Sequence, residues 1–317
     1  MSCEKMGQVG AEAIEPCEPE LDPPFDLVEP YELRSPLVFS SPHSGRVYPE
    51  RFLAAAKIDA ATLRRSEDAY VEELFASATA VGAPLLHAHF PRAFLDLNRE
   101  PYEFDPKLFE GTLPHFANTR SLRVAAGLGT IPRVVADARE IYARRLTVEE
   151  ALRRVDALYK PYHATLRALM ERAAARFGVA VLVDCHSMPS TSARDLAPSH
   201  RGEKRRIDFV IGDRYGASAA PLVVDGVEER LRLLGYNVQR NRPYAGGFIT
   251  EHFGRPAAGW HALQIEISRA LYMDEATLEK NARFATLAAD LAGVVAGLAK
   301  DVEQDDTLGG PRRMAAE

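Results

Sequence analysis

The chain has 317 residues, of which 46% are hydrophobic and 26% charged, so its length suits one large α/β domain or two small ones. Its net charge of -6, without a stripe of Lys and Arg interleaved with aromatic residues, argues against nucleic acid as a partner. No stretch approaches the about 18 apolar residues of a membrane span, and the N-terminus lacks the basic and apolar regions of a signal peptide. We therefore expect a cytoplasmic protein without nucleic-acid or membrane partners.

The two ends of the chain differ in composition from its middle. Residues 1–25 carry Glu, Pro and small residues without periodicity, which predicts a flexible leader, and residues 301–317 are predicted to be a flexible tail. This leaves 26–300 as a single α/β domain. The three cysteines have no CxxC spacing and favour neither a disulfide framework nor a zinc finger. Cys185 lies in an apolar run, which favours an inert core thiol, with a nucleophilic role as the alternative.

The first predicted strand begins at Leu37 and ends in a turn of Ser, Pro and Gly. This pattern places His43 just beyond the carboxyl end of the strand. In open α/β sheets ligands bind at the carboxyl ends of strands. We therefore treat His43 as a candidate site residue.

A helix is predicted from about 59 to 80, where apolar residues recur at helical spacing. On its wheel Glu67 falls within the apolar stripe and Asp68 on the flank of the stripe. A buried carboxylate needs a partner. A salt bridge with Arg64 or Arg65 and ligation of a metal are both open interpretations.

Two short strands are predicted between 83 and 95, with polar residues at or near their ends. Arg92, Asn98 and Arg99 stand close together in an otherwise apolar stretch. A guanidinium group matches a carboxylate bidentately, so this cluster indicates recognition of an anion.

The residues from 101 to 140 are polar, punctuated by Gly and Pro, and long for a connection, which predicts a lid or a subsidiary excursion over the site. Helices are predicted for 147–177 and 217–234 by their apolar periodicity. His163, in the first of these helices, is interpreted as structural.

A second histidine stands at the end of a strand. The run Ala-Val-Leu-Val from Ala180 is typical of a strand buried on both faces, and the Met-Pro-Ser that follows Ser187 cannot continue it. His186 therefore lies at a carboxyl end like His43. A ligand role and a hydrogen-bonded loop histidine are the two interpretations.

The last part of the chain adds a glycine loop and a buried acid. Gly246 and Gly247 permit close approach of the backbone to a ligand. In the strand that follows, Gln264 and Glu266 share one face, and burial of Glu266 suits a general base near neutral pH. A buried pair of Glu266 with an arginine, Arg269 or Arg242, is the alternative. A final helix is predicted for about 275–300.

Together, two strand-end histidines and an acid offer three nitrogen and oxygen ligands, the pattern of catalytic zinc with a fourth position open to water. A separate Glu base and nearby arginines complete the groups needed for metal-assisted hydrolysis of an amide that carries a carboxylate. No compact HExxH motif is present.

Six blocks, in order along about residues 35–290, resemble the N-formylglutamate amidohydrolase family. They are Ser41-Pro42-His43-Ser44-Gly45, Asp68 with Val71 and Leu74, Asp96-Leu97-Asn98-Arg99, Asp184-Cys185-His186-Ser187, Gly246-Gly247 with Ile249, Thr250 and His252, and Gln264-Ile265-Glu266. The family is similar in fold to zinc carboxypeptidases and related acylases. The resemblance therefore implies a zinc-carboxypeptidase-like (phosphorylase/hydrolase-like) α/β fold, with a central mixed sheet flanked by helices and one Zn²⁺ ion.

The same resemblance assigns roles in the catalytic centre. It implies that His43 and His186 are zinc ligands and that Glu266 is the base. Zinc carboxypeptidases use HxxE, but Arg46 stands three residues after His43, so the acid comes from elsewhere. We choose Asp68, which fits the family block, with Glu67 as the alternative.

For the substrate, the resemblance implies that Asn98 and Arg99 grip the α-carboxylate and that Arg92 stands beside the developing oxyanion. Arg133, Arg240 or Arg242 would join Arg99 in holding two carboxylates. The implied reaction converts N-formyl-L-glutamate to formate and L-glutamate, in histidine breakdown. The alternatives are a zinc hydrolase of another N-acyl amino acid or of a peptide, and a metal-free dicarboxylate-binding protein.

Overall fold

The computed structural model describes residues 18–135, 138–192, 206–305 and 307–309. Its strands are β1 (Phe25–Val28), β2 (Leu37–Ser41), β3 (Leu85–Ala88), β4 (Phe109–Glu110), β5 (Val134–Val135), β6 (Arg139–Glu140), β7 (Leu146–Thr147), β8 (Ala180–Met188), β9 (Phe209–Gly212), β10 (Val238–Arg240) and β11 (Trp260–Ser268). Its α-helices are α1 (Glu50–Ala55), α2 (Ala60–Arg64), α3 (Val71–Leu74), α4 (Leu122–Ala125), α5 (Val148–Arg154), α6 (Lys160–Phe177), α7 (Pro221–Leu233), α8 (Phe248–Phe253) and α9 (Phe284–Gln304). Short 3-10 helices lie at Pro19–Leu21, Ala76–Val81, Pro256–Ala258 and Arg269–Leu271.

Seven of these strands form one mixed sheet in the order β1-β3-β2-β8-β11-β9-β10. The neighbours β3, β2, β8 and β11 run parallel, whereas β1 and β9 are antiparallel to their neighbours β3 and β11. The carboxyl ends of the parallel strands therefore meet at one edge. At that edge His186 on β8 lies opposite Glu266 on β11.

Helices cover both faces of the sheet. Every residue of β2 and β8 is buried, as the apolar runs predict. Alternate residues of β8 enter two different cores: Val181 and Val183 join the core that includes α9, and Leu182 joins the core that includes α6. The predicted α/β fold with a central mixed sheet flanked by helices is thus confirmed. Among the described residues, none of the helices combines the length and apolarity needed to span a membrane.

The predicted helix from 59 to 80 is wrong. The chain forms α2, then α3 and a 3-10 helix, and the stretch between α2 and α3 is not helical. Asp68 donates its backbone N–H to the carbonyl of His43 at 3.0 Å, and Tyr70 has a φ of +65°. These contacts draw Asp68 out of a helical path, so a tertiary interaction has overridden the apolar periodicity.

The second strand predicted between 83 and 95 is also wrong, because after β3 the chain turns. Phe94 donates its N–H to the carbonyl of Pro91 at 2.9 Å, and Pro91 lacks the N–H that a sheet ladder uses. The described residues of the excursion from 101 to 140 form short elements, among them α4 and the paired strands β5 and β6.

The ends of the chain depart from the predicted boundaries. Of the predicted leader, residues 1–17 lie outside the described residues, but Leu21 is buried and β1 already begins at Phe25. The last helix starts at Phe284 rather than near 275 and continues to Gln304. Leu308 is buried and its carbonyl lies 3.0 Å from His261 Nε2, so packed chain continues beyond the predicted boundary at 300.

The predicted helix of 147–177 is present with one irregularity. A π-helical turn, Val155–Tyr159, joins α5 to α6. At its end the hydroxyl of Tyr159 donates to the carbonyl of Arg99 at 2.7 Å. One turn further on, Nε2 of His163 lies 2.9 Å from the carbonyl of Leu97. The helix thus holds the backbone on both sides of Asn98.

Candidate active site

Three buried side chains meet at the carboxyl edge of the parallel strands. His43 follows β2, His186 lies near the end of β8, and Asp68 comes from the turn between α2 and α3. One potential ligand atom from each lies within 4.8 Å of the other two. With Glu266, which lies opposite His186 on β11, we call these residues the buried centre.

The geometry of the three side chains fits a metal ion. Asp68 Oδ2 lies 2.9 Å from His186 Nδ1 and 3.5 Å from His43 Nδ1. Two donors bound to zinc at about 2.0–2.1 Å in tetrahedral geometry stand about 3.3 Å apart. His43 Nδ1 is buried and, among the described residues, has no hydrogen-bond partner. A buried nitrogen with an unused lone pair is explained by a ligand role, and the two-nitrogen, one-oxygen donor set suits zinc.

Two further aspartates stand behind the histidines. Asp96 Oδ1 lies 2.7 Å from His43 Nε2, and Asp184 Oδ1 lies 3.0 Å from His186 Nε2. A carboxylate hydrogen-bonded as Asp96 is fixes the tautomer of a histidine ligand and leaves its other nitrogen free for a metal. The contact of Asp184 Oδ1 lacks hydrogen-bond geometry, and the amide nitrogen of Asn98 lies 2.9 Å from the same nitrogen of His186. Sequence reasoning did not give either aspartate this role. Asp184 could have been found from its spacing, since it precedes His186 by two residues on the same face of β8. Nothing in the sequence connects Asp96 to His43.

The charges around this group favour a cation between the side chains. Burial lowers the pKa of His186, but the neighbouring Asp184 and Asp68 raise it well above its ordinary value. Burial raises the pKa of Asp68, but the hydrogen bond with His186, the proximity of His43 and the charges of His186 and Arg269 hold it well below its ordinary value. Asp68 is therefore ionised, and its Oδ1 accepts a hydrogen bond from Arg269 at 2.9 Å.

Glu67, the alternative acidic ligand, points elsewhere. Its Oε1 accepts hydrogen bonds from the hydroxyl of Tyr48 at 2.7 Å and from Nε of Arg64 at 3.1 Å. The salt-bridge interpretation therefore applies to Glu67, and the structure brings Asp68 to the histidines.

Glu266 is held in place by Gln264. Gln264 Nε2 donates to Glu266 Oε1 at 2.8 Å, while its own Oε1 accepts from the N–H of Gly247 at 2.8 Å. Burial raises the pKa of Glu266 to about 7, which suits proton exchange near neutral pH. The alternative of a buried pair is not what the structure shows, since Arg269 pairs with Asp68 and Arg242 is exposed.

Beside the buried centre lies a pocket of about 330 Å³, which we call the arginine pocket. Four arginines line it, of which Arg92 and Arg99 were predicted and Arg123 and Arg214 were not. Other lining residues are His43, Asn98, His186, Pro243, Tyr244, Ala245, Gly246, Gly247, Gln264 and Glu266. Arg92 also donates from Nη2 to Asp96 Oδ2 at 2.8 Å, which fixes its guanidinium group beside the centre.

The structure does not bring the other predicted arginines to this pocket. Arg133 donates from Nε to Asp105 Oδ2 at 2.7 Å, and Arg240 donates from Nη2 to Asp225 Oδ1 at 2.6 Å. Arg242 is exposed and is not among the lining residues. Arg123 on α4 and Arg214 after β9 take their place. Both belong to segments whose position depends on the tertiary fold, and no local pattern pointed to them.

Asn98 and Gly247 contact each other closely, and both of them line the arginine pocket together with Gly246. Asn98 Oδ1 accepts from the N–H of Ile249 at 2.8 Å, and its Nδ2 donates to Asp184 Oδ2 at 3.1 Å. A Cβ on Gly247 would lie 2.4 Å from Asn98 Oδ1, and Gly246 has a φ of +112°. The close approach that Gly247 permits is therefore to Asn98, whereas the sequence analysis expected it to be to a ligand. A Cβ on Gly246 would instead lie 3.0 Å from Thr250 and 3.2 Å from Arg214.

Cys185 and His163 lie apart from the chemistry. Cys185 is fully buried in the core on the opposite face of β8 from His186, and burial raises the pKa of its thiol well above the ordinary value. Such a thiol does not act as a nucleophile. His163 stacks on Tyr159 with ring centroids 4.2 Å apart, in agreement with the structural interpretation.

A buried His-Asp-His group beside a buried carboxyl group and an arginine-lined pocket is typical of hydrolases that cleave a bond next to a negatively charged group. The chain belongs to the N-formylglutamate amidohydrolase family, whose sequence model matches residues 35–273. The family resemblance of the six blocks is thus confirmed.

Individual relatives agree with this assignment. The N-formylglutamate deformylase of Pseudomonas aeruginosa is 31% identical over 246 residues, which cover 76% of this chain and 84% of that protein. The N-formylglutamate deformylase of Pseudomonas putida is 29% identical over 245 residues, which cover 76% and 83%.

Solved structures show the same fold. The crystal structure of N-formylglutamate amidohydrolase from Ralstonia eutropha JMP134 matches with a TM-score of 0.82 and 41% identity, over 89% of this chain and 99% of that one. A protein from Agrobacterium tumefaciens with 18% identity and a TM-score of 0.63, covering 89% of this chain and 96% of that one, shares the fold.

Proposed function

We propose that this protein hydrolyses N-formyl-L-glutamate to formate and L-glutamate. The observation that carries the proposal is the junction of the buried centre with the arginine pocket. There Glu266 and four arginines, Arg92 among them, line one space next to the His-Asp-His group. The family and its named relatives identify the substrate. A cytoplasmic location and a part in histidine breakdown belong to the same proposal.

The side chains that would hold Zn²⁺ are His43, Asp68 and His186, each through the atom that faces the other two. When bound there, zinc lowers the pKa of a water molecule towards 7 and polarises the formyl carbonyl group. The unpartnered Nδ1 of His43 supports this assignment, because a metal-free binding protein would leave that nitrogen without a function.

The chain's own residues then move the protons. Glu266 accepts a proton from the attacking water as the new C–O bond forms at the formyl carbon. Arg92, a permanent cation fixed by Asp96, stabilises the negative charge that develops on the carbonyl oxygen. As the C–N bond breaks, Glu266 returns the proton to the leaving nitrogen, so the products are formate and glutamate.

The two carboxylates of the glutamyl half require cations, and the arginine pocket supplies them. Arg99 is held by donation from Nε to the carbonyl of Leu128 at 3.0 Å and from Nη1 to the carbonyl of Asn98 at 2.9 Å, so Nη2 is the nitrogen left for the pocket. Arg123 and Arg214 are more exposed, and each has one acidic neighbour, Glu103 at 4.0 Å and Glu251 at 2.8 Å. Bidentate binding of carboxylates by these three arginines would orient the formyl amide towards Glu266.

The test compares wild type with Glu266→Gln for bound zinc, measured by elemental analysis, and for formate release from N-formylglutamate. We expect the variant to keep its zinc and to lose activity by about 10²–10⁴-fold, the usual contribution of a general base. A variant that keeps both zinc and full rate would refute the role of Glu266. A wild-type protein that binds N-formylglutamate without zinc and without turnover would instead be a dicarboxylate-binding protein.

A further inference from the structure

A second cavity of about 350 Å³ lies next to the arginine pocket, and we call it the second chamber. The two cavities share four lining residues, Arg92, Arg99, Tyr244 and Glu266. The base and the oxyanion-stabilising arginine thus stand on the boundary between two spaces. A substrate whose reacting carbon lies between Glu266 and Arg92 can therefore extend in two directions.

The walls of the second chamber differ from those of the arginine pocket. Six of its lining residues are apolar or aliphatic: Ala93, Leu128, Pro132, Val134, Val135 and Pro189. Two of its four arginines are paired with acids, Arg92 with Asp96 at 2.8 Å and Arg269 with Asp68 at 2.9 Å. Of the other two, Arg99 also lines the arginine pocket, and Arg65 is exposed. The chamber therefore combines an apolar surface with ion pairs that are already formed and with one exposed arginine.

This difference indicates which half of the substrate lies in which cavity. The carboxylates of glutamate belong with Arg123 and Arg214, which line only the arginine pocket. The acyl half, on the other side of the scissile C–N bond, then faces the second chamber. A formyl group carries only a hydrogen atom on its carbonyl carbon, so it leaves the apolar walls of this chamber without contact.

We infer that the enzyme also hydrolyses N-acyl-L-glutamates whose acyl group is a short unbranched aliphatic chain, with the alkyl part in the second chamber. This inference rests on the proposed function. The steps are the same as for N-formylglutamate: water adds to the acyl carbon, the C–N bond breaks, and the proton taken by Glu266 passes to the amine. The products are a short-chain carboxylate and glutamate.

The experiment measures kcat/KM from glutamate release for the N-formyl, N-acetyl, N-propionyl and N-butyryl derivatives of L-glutamate. The formyl group is intrinsically more reactive than the others, so the acetyl, propionyl and butyryl derivatives are compared with one another. Burial of one methylene group is worth up to about fourfold in kcat/KM. We expect kcat/KM to rise from acetyl to propionyl to butyryl by up to about this factor at each step.

A variant that fills the chamber sharpens the test. The side chain of Leu128 lines the chamber and is 39% exposed, so Leu128→Trp narrows the space at little risk to the fold. We expect the ratio of kcat/KM for butyrylglutamate to kcat/KM for formylglutamate to fall by about tenfold or more, because overpacking excludes the longer chain. Any disturbance of Arg99, which the carbonyl of Leu128 holds, would lower kcat/KM for both substrates alike and so leave this ratio unchanged. The matched control is Leu222→Trp on α7, a leucine 36% exposed that lines neither cavity.

Two results would overturn the inference. One is a wild-type kcat/KM that falls steadily from acetyl to butyryl, and the other is a Leu128→Trp variant that affects all four substrates equally. Either result, with formylglutamate still hydrolysed, leaves the proposed function intact. Absence of formylglutamate turnover in wild type would contradict the proposed function itself.

Discussion

The buried centre and the arginine pocket are adjacent but are built differently. In the buried centre each of the three clustered side chains has a charged partner of its own: His43 with Asp96, His186 with Asp184, and Asp68 with Arg269. In the arginine pocket, Arg123 and Arg214 stand on loops or short elements and their side chains are about one third exposed.

This difference separates two tasks. Groups that handle a metal ion and a proton must keep their geometry through the reaction, so they are buried and doubly held. Groups that bind the carboxylates of a substrate can close around it on arrival, and partial exposure lets the substrate enter. Substitutions in the buried centre are therefore expected to affect rate and metal content, and those in the arginine pocket to affect KM.

The largest effect is expected from Asp68→Asn. The change removes the only charged ligand of the His-Asp-His group and leaves the buried Arg269 without its counter-charge, which destabilises the fold by about 3–5 kcal/mol. We expect loss of bound zinc and a fall in kcat of about 10³-fold. Elemental analysis, thermal unfolding and formate release measure these effects.

Glu67→Gln is the matched control for Asp68→Asn, because Glu67 is the adjacent, equally buried acid but contacts Tyr48 and Arg64. It should keep zinc and activity. If Glu67→Gln loses zinc and Asp68→Asn does not, the choice of acidic ligand is reversed.

The next effect concerns pH. The base acts as a carboxylate, and burial raises the pKa of Glu266 to about 7, so protonation removes activity as the pH falls below that value. We expect kcat/KM to fall about tenfold per pH unit below about 7, or about a hundredfold at pH 5. Zinc content measured at each pH separates this effect from loss of the metal. A flat profile down to pH 5 with zinc retained would contradict it.

Asp96→Asn should weaken the centre without abolishing it. Asp96 holds Nε2 of His43 at 2.7 Å and the guanidinium group of Arg92 at 2.8 Å. Loss of an outer carboxylate of this kind costs about 10–100-fold in metal affinity or activity. Zinc titration against a competing chelator, together with kcat, measures the loss. Unchanged zinc affinity and rate would show that Asp96 has only a packing role.

The smallest effect is expected in the arginine pocket. Arg214→Ala should raise KM for N-formylglutamate by about tenfold, with little change in kcat. This factor corresponds to the lower end of the free energy contributed by a hydrogen bond to a charged group. Arg240→Ala is the control, because Arg240 pairs with Asp225 on α7 and does not line the pocket. Equal effects of the two variants on KM would mean that the overall charge of the protein surface, rather than a specific contact in the arginine pocket, attracts the substrate.

The residues predicted best from sequence are those fixed by regular strands. His43, His186 and Glu266 each follow or end an apolar run, and parallel strands bring their carboxyl ends together whatever the intervening chain does. The core position of Cys185 follows from the same period of two, since its neighbour His186 takes the other face.

The residues predicted poorly depend on segments without regular structure. The structure brings Asp68 rather than Glu67 to the histidines, as the family block implied. The predicted helical wheel favoured Glu67, but that helix does not exist, because the contacts of Asp68 break it. Arg133 and Arg240 are as basic as Arg123 and Arg214, and only the tertiary fold decides which pair reaches the pocket. Local patterns carry no information about that choice.

The π-helical turn Val155–Tyr159 bears on how this protein tolerates insertions and deletions. Such a turn contains one residue more than an α-helical turn, and each residue added to or removed from a helix rotates everything after it by about 100° about the helix axis. Deleting one residue from this turn would convert it to a regular α-helical turn. The deletion would also rotate Tyr159 and His163 relative to the preceding helix, away from the carbonyls of Arg99 and Leu97. A regular α-helix at this point would therefore lose the hydrogen bonds that hold the backbone around Asn98 in place.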